Sequence, residues 1–128
     1  MSQSPTRDEL LAWTATVRGE FEAKLREFVE IPSVSADPAH KPDIARQVDA
    51  ACATLRAYGA TDVRTIATDG NPVVAGRFAA AGAAPTVTVY NHLDVQPAGE
   101  PQWRSDPFRF VTQGDRYFAR GATDDKGP

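Results

Sequence analysis

The chain has 128 residues, of which 41% are hydrophobic and 24% charged, with a formal net charge of −3. That length suits one domain with its own core, and the composition argues against global disorder. No block of Lys and Arg stands out, which leaves out the electrostatic footprint of a nucleic-acid binder, and no helix sets a basic face against an aromatic one as a membrane-surface helix would.

The start, Met1-Ser-Gln-Ser-Pro-Thr-Arg-Asp-Glu9, is polar and acidic and has no apolar signal-peptide core. No later run is apolar and long enough to span a bilayer. The single cysteine, Cys52, rules out an internal disulfide framework and reads as a reduced, buried thiol in an apolar helical stretch. A reducing, cytoplasmic setting is the default expectation.

Apolar residues at Leu10, Trp13, Val17, Phe21, Leu25 and Phe28 recur in steps of three and four and define one face of a helix. Pro32 ends it, because the residue before a proline is pushed out of helical conformation. Ser33 to Pro42 reads as a loop. A second helix is predicted over about Asp43 to Tyr58, with the stripe Ile44, Val48, Ala51, Leu55 and Tyr58, and with Gly59 as its left-handed cap. Strands are predicted at Asp62–Ala67, Val73–Phe78 and Thr86–Tyr90, with a turn at Asp69-Gly-Asn-Pro72 between the first two. The Ala/Gly-rich stretch Ala79 to Pro85 reads as a flexible loop within one domain. Phe108, Phe110 and Tyr117-Phe118 suggest two more short strands about a turn at Gly114-Asp115. Helices followed by strands point to an α/β or α+β layer architecture, with the helix faces packed on the sheet.

Two clusters could carry chemistry. From Val87 the residues alternate: Val87, Val89, Leu93 and Val95 share one parity, and Thr88, Tyr90, His92 and Asp94 the other. An extended segment would pack its apolar face and end, on the opposite face, in an imidazole beside a carboxylate. In open α/β sheets ligands bind outside the carboxyl ends of strands. Neutral imidazole ligates zinc well, and a nearby carboxylate orients the ring and raises its basicity. The second cluster is Arg120-Gly-Ala-Thr-Asp-Asp-Lys-Gly-Pro128, where adjacent carboxylates Asp124 and Asp125 would repel unless a cation relieves them. Each cluster also has a plain structural reading. A His-x-Asp pair can be an ordinary surface or core pair, and Asp-Asp-Lys a solvated turn. His40, in a Pro-rich loop, reads as exposed, and Trp103 and Phe108 as packing residues. Taken residue by residue, the sequence indicates a metal site but no reaction.

The complete ordered pattern says more. Tyr90-Asn-His-Leu-Asp-Val-Gln-Pro-Ala98, then Trp103, Asp106-Pro-Phe108 and Arg120 to Pro128, together with Phe28-Val-Glu-Ile-Pro-Ser-Val-Ser35 upstream, resembles the zinc-dependent peptidase family. That family includes cytosolic nonspecific dipeptidase, carnosinase, aminoacylase, succinyl-diaminopimelate desuccinylase and glutamate carboxypeptidase. The similarity runs from about Leu10 to Pro128. The forms Thr-Asp-Asp-Lys-Gly-Pro and His-Leu-Asp-Val-Gln-Pro-Ala resemble the dipeptidase and carnosinase branch, whereas the deacylase branches more often carry Asp-Met-Lys-Gly-Gly. Asn91 and Ala119 depart from the family, standing where glycine is usual; neither removes a ligand.

The resemblance implies that residues 1–128 are the N-terminal portion of an α/β catalytic domain, two helices on a mostly parallel or mixed sheet. It implies that His92 binds one zinc, that Asp94 supports the site and orients its ligand, and that Asp124 bridges two metals through a peptide bond to Asp125 that is commonly cis. It further implies two zinc ions per complete site (manganese and cobalt being the other metals weighed), a dipeptide or small-peptide substrate and a homodimer, without a nucleic-acid or membrane partner. A Glu-Glu pair, another acidic ligand and a distant histidine belong to the family's site beyond Pro128, so the 128-residue chain alone is expected to be inactive and prone to aggregate at an uncovered sheet edge. Two alternatives stand beside the dipeptidase: an N-acyl amino acid deacylase of the same superfamily, and a truncated non-catalytic module that binds a peptide or protein.

Overall fold

The computed structural model describes residues 4–128. The first helix, α1, spans Arg7–Val29 and starts with a reciprocal cap: Thr6 Oγ1 accepts the Glu9 N–H, and Glu9 Oε2 accepts the Thr6 N–H. This capping box satisfies two donors that a helix start otherwise leaves open, and it places the start ahead of the apolar stripe. Of that stripe only Leu25 is fully covered, with Val17 and Phe28 half-buried. Leu25 and Val29 are buried, while Leu10, Trp13 and Phe21 stay exposed, Trp13 by 61%.

One turn of 3-10 helix, Pro38–His40, leads into α2, Lys41–Ala57. Ala51 and Cys52 are buried; Ile44, Val48 and Leu55 are half-buried, and Tyr58 is exposed. Tyr58 Oη nevertheless donates a short hydrogen bond to Glu20 of α1, tying the two helices. Gly59, at φ 87°, closes the helix in the left-handed region, as its position predicts.

The expected sheet is found as two separate antiparallel pairs. Strands β1 (Thr61–Ile66) and β2 (Val73–Arg77) pair from Thr61 opposite Arg77 to Ile66 opposite Val73, with an irregularity between Thr61 and Arg64, and lie against α2. Gly76 sits under α2, where an added Cβ would come within 3.1 Å of Leu55 Cδ1. Strands β3 (Val111–Gln113) and β4 (Arg116–Phe118) form a hairpin about Gly114, which is at φ 61°. The α/β class stands, but among the described residues the mostly parallel or mixed sheet is reduced to these antiparallel pairs and one parallel bridge between Val34 and Val95.

The predicted strand Thr86–Tyr90 has no ladder partner. Val87, Val89 and Tyr90 are each about four-fifths exposed, so the apolar parity packs only at its end, where Leu93 is half-buried and Val95 fully buried. Strand pairing needs a neighbour to take the backbone N–H and C=O groups. Among the described residues no strand supplies one to this segment.

The core that positions the site lies at the C-terminal end of α1. Leu25, Val29, Phe110 and Ala119 form it, with Tyr117 and Ala122 packed against them. Phe110 stacks on Tyr117 at 5.3 Å between centroids, the Arg26 guanidinium covers the Phe110 ring at 4.8 Å, and Glu30 accepts the Phe110 N–H at 3.1 Å. Lys126 completes this junction. Its buried ammonium donates to the carbonyls of Phe28 and Ile31, both at 2.8 Å. Cations are favoured at a helix C-terminus, where carbonyls lack intrahelical partners. Burial still pushes the Lys126 amine down to about 7, against the pull of the Asp94 and Asp43 carboxylates.

Replacing Lys126 with Met keeps most of the side-chain volume but removes the ammonium donor from both carbonyls, which keep only the Ile31 and Ser33 N–H groups at 3.3 and 2.8 Å; a hydrogen bond to a charged group contributes about 1.5–3 kcal/mol. Urea denaturation of Lys126→Met is expected to give a lower midpoint with an unchanged slope.

Candidate metal centre

Two segments far apart in sequence hold the site together. Helix α1 gives out before Pro32, and the chain then passes Ser33 and Val34 alongside residues 93–95. There the Ser33 carbonyl accepts the Val95 N–H at 2.9 Å and Ser33 Oγ donates to the Leu93 carbonyl at 2.6 Å. These bonds and the Val34–Val95 bridge fix residues 93–95 and thereby aim His92 and Asp94. Val95 in turn lies under Gly121, where an added Cβ would meet Val95 Cγ1 at 2.8 Å and φ is 85°. Only glycine suits that position, both sterically and conformationally.

Gly121 opens the loop that carries Asp124 and Asp125. The Lys126 N–H returns to the Gly121 carbonyl at 2.9 Å, and a Cβ on Gly127 would stand 2.1 Å from the Ala122 carbonyl oxygen, so the loop closes on itself. The Asp124–Asp125 peptide bond is cis. The two carboxylates point to different partners: Asp124 Oδ1 lies 3.0 Å from His92 Nε2, and Asp125 Oδ2 accepts the His92 backbone N–H at 3.2 Å. His92 and Asp124, 32 residues apart, thus meet directly. Asp94 lies on the other side of the ring, with its carbonyl oxygen 3.1 Å and its Oδ1 3.5 Å from His92 Nδ1. Its second oxygen, Oδ2, accepts from Ser35 Oγ at 2.5 Å.

Both ring nitrogens of His92 therefore face acceptors. The imidazolium, a donor at both positions, suits that arrangement better than either neutral tautomer. The hydrogen bond to the Asp94 carbonyl, with the Asp124 and Asp94 carboxylates, raises the His92 pKa above its ordinary value against the cost of desolvation.

A cleft of about 290 Å³ adjoins these groups, walled by His92, Asp94, Trp103, Arg120, Thr123 and Asp124. Its outer wall is built on Arg120. The guanidinium donates to the Pro97 carbonyl at 3.1 Å and to Glu100 at 2.5 Å, and lies 5.2 Å from the centre of the Trp103 ring. The Trp103 indole N–H first, and Arg120 with it, holds Glu100 down at about 2. Trp103 is thus both a packing residue and a wall of the cleft.

The donor set fits one imidazole and one carboxylate of a divalent-metal site. Two donors on one tetrahedral zinc, with bonds of about 2 Å, sit roughly 3.3 Å apart. The His92 Nε2 to Asp124 Oδ1 separation is 3.0 Å. Nδ1 is taken by Asp94, which leaves Nε2 as the ring nitrogen that could ligate a metal. Among the described residues no group of three or more metal-binding side chains comes together. His40 lies apart from the site: half-buried, not exposed as its loop suggests, it contacts Asp43 at 2.8 Å. Cys52 is buried and free, near Thr65. Sequence reasoning gave no role to Ser33 or Ser35, and read the Asp125 carboxylate as half of a repelling pair rather than as an acceptor of the His92 backbone N–H. The Ser33–Ser35 run lay in the quoted motif, yet its contacts with Leu93, Asp94 and Val95 are long-range.

Residues 88–128 match the profile of the peptidase family M20/M25/M40. The chain is 39% identical over 122 residues to the Cys-Gly metallodipeptidase dug1 of Schizosaccharomyces pombe, covering 87% of this chain and 26% of that protein. It is 33% identical over 123 residues to the human Beta-Ala-His dipeptidase, covering 85% and 24%. The crystal structure of human carnosine dipeptidase 1 superposes with a TM-score of 0.82 at 28% identity, over 98% of this chain and 29% of that one. The chain thus spans about a quarter of the length of these relatives.

In the metal-free chain His92 is expected to titrate above the ordinary imidazole range, and Asp124→Asn to lower that pKa, as followed by ring NMR resonances. With a raised folded pKa, the stabilisation from this contact is present below the unfolded value and lost as pH rises through the folded one. Zinc must displace the Nε2 proton, so zinc affinity should increase with pH across the same range; an affinity independent of pH would contradict the assignment of Nε2.

Proposed function

Since the chain belongs to the peptidase family M20/M25/M40, we propose that the protein carrying it is a metal-dependent hydrolase of dipeptides, with residues 1–128 as the N-terminal portion of its catalytic domain. The observation that carries this is the convergence of His92 and Asp124, 3.0 Å apart on the rim of one cleft. The named relatives, a Cys-Gly metallodipeptidase and a Beta-Ala-His dipeptidase, support a dipeptide as the substrate class.

In this reading His92 gives its Nε2 to one metal ion and Asp124 gives its carboxylate, which is suited to bridge to a second. Two zinc ions per site complete the proposal, with manganese and cobalt as the other metals. When bound, such metals lower the pKa of water and polarise the scissile carbonyl. Asp94 holds the His92 ring through Nδ1 and keeps Nε2 aimed at the ion. Asp125 fixes the His92 backbone, so ring and bridging carboxylate keep their spacing. The Trp103–Arg120 wall bounds the space beside the metals and limits the size of what can enter. No helix among the described residues is long and apolar enough to cross a membrane. A cytoplasmic, homodimeric enzyme is the wider form of the proposal.

Two ligands fall short of the three that a catalytic zinc commonly takes from protein, and among the described residues no glutamate lines the cleft beside them as a general base. Residues 1–128 alone are therefore expected to show no turnover. A protein of the relatives' length containing this segment is expected to hydrolyse dipeptides, to lose activity to a chelator and to regain it with zinc. His92→Ala should cost at least about 100-fold in kcat/KM. Cleavage of N-acyl amino acids in preference to dipeptides would move the protein to the deacylases, and an unchanged rate in His92→Ala would remove the metal assignment.

A further inference from the structure

We propose that Ser35 is a positioning residue for the metal centre: its hydroxyl locks the Asp94 carboxylate so that Asp94 can hold the His92 ring. This rests on the reading of His92 as a metal ligand and extends it to a residue 57 positions upstream.

Asp94 has two jobs at one carboxyl group. Oδ1 faces His92 Nδ1 at 3.5 Å, and Oδ2 accepts the Ser35 hydroxyl at 2.5 Å. Rotation of an aspartate carboxyl about its last bond is broad, so a single contact on one oxygen leaves the plane loosely set. The Asp94 side chain is 43% exposed, and water competes for any oxygen left free. The Ser35 bond removes that freedom by engaging the oxygen that His92 does not face.

Other donors nearby are committed elsewhere. Lys126 attracts Asp94 electrostatically, but its ammonium is bonded to the Phe28 and Ile31 carbonyls. The Ser35 bond is the only side-chain hydrogen bond to the Asp94 carboxylate among the described residues. Ser35 is itself well held. The preceding residues run beside 93–95 through the two Ser33 bonds and the Val34–Val95 bridge, so the hydroxyl and the carboxylate move as one unit. The result is a line from Ser35 to the Asp94 carboxylate, from that carboxylate across 3.5 Å to His92 Nδ1, which also contacts the Asp94 backbone carbonyl at 3.1 Å, and from His92 Nε2 to Asp124. The loop after α1 is thereby part of the metal site, although it contributes no ligand.

The test is a zinc titration of the metal-depleted protein of the relatives' length that contains this segment, following the His92 ring nitrogens by NMR with labelled histidine. In the unaltered chain zinc should shift the Nε2 resonance. Ser35→Ala should keep the amide spectrum of the fold, because the Ser33 bonds persist, but should bind zinc about tenfold more weakly, the lower end for groups that orient a metal ligand. Ser35→Thr, which keeps the hydroxyl, should restore the affinity. In an Asp94→Ala background, removing Ser35 should change nothing further, since Ser35 acts through Asp94. Zinc affinity in Ser35→Ala equal to that of the unaltered chain, or a loss that adds fully to that of Asp94→Ala, overturns the role of Ser35 alone. Absence of any His92 shift in the unaltered chain overturns the metal assignment beneath it, and the inference falls with it.

Discussion

The bond between the Lys126 ammonium and the end of α1 is the constraint on which the site depends. A long helix ends with carbonyls that need donors, and the loop bearing Asp124 and Asp125 needs an anchor. One side chain meets both needs, reaching the Phe28 and Ile31 carbonyls from inside the core. The cost of burying an ammonium is offset by two acceptors at 2.8 Å, the Phe28 carbonyl in the last turn of α1 and the Ile31 carbonyl just beyond the helix. The short core of Leu25, Val29, Phe110 and Ala119 forms around this junction and leaves the N-terminal half of α1 uncovered.

From that anchor the site follows by short steps. The loop from Gly121 to Gly127 can fold tightly because glycine occupies the two positions where a side chain would collide with Val95 or with the Ala122 carbonyl. Placed over Val95, the loop presents Asp124 to His92 Nε2 and Asp125 to the His92 backbone. The run after Pro32 does the corresponding work from below, with Ser33 on Leu93 and Val95 and Ser35 on Asp94. Adjacent aspartates that would repel in an open turn are separated by direction, each with its own donor.

The elements legible in the sequence are those whose signal is local. The period of α2, the Gly59 cap, the turn at Gly114 and strands β1 and β2 within a residue or two all depend on neighbours a few positions away. The start of α1 was missed because the Thr6–Glu9 capping box lies outside the apolar stripe. Thr86–Tyr90 illustrates the opposite case. Its alternation is a real propensity, but a strand exists only with a partner, and none among the described residues pairs with it. Trp13 and Phe21 likewise read as core from their spacing, yet periodicity says which face is apolar and not whether anything covers it.

For the centre itself, the sequence alone determined the chemical types: an imidazole and a carboxylate two positions apart, and an acidic pair within a glycine-bearing run, because these are properties of adjacent residues. Which of those groups meet was decided only by the fold. Contacts between His92 and Asp124, between Lys126 and α1, and between Ser35 and Asp94 join positions 32 to 98 residues apart. Closing such loops depends on the burial and backbone pairing of everything between them, and no local pattern encodes that.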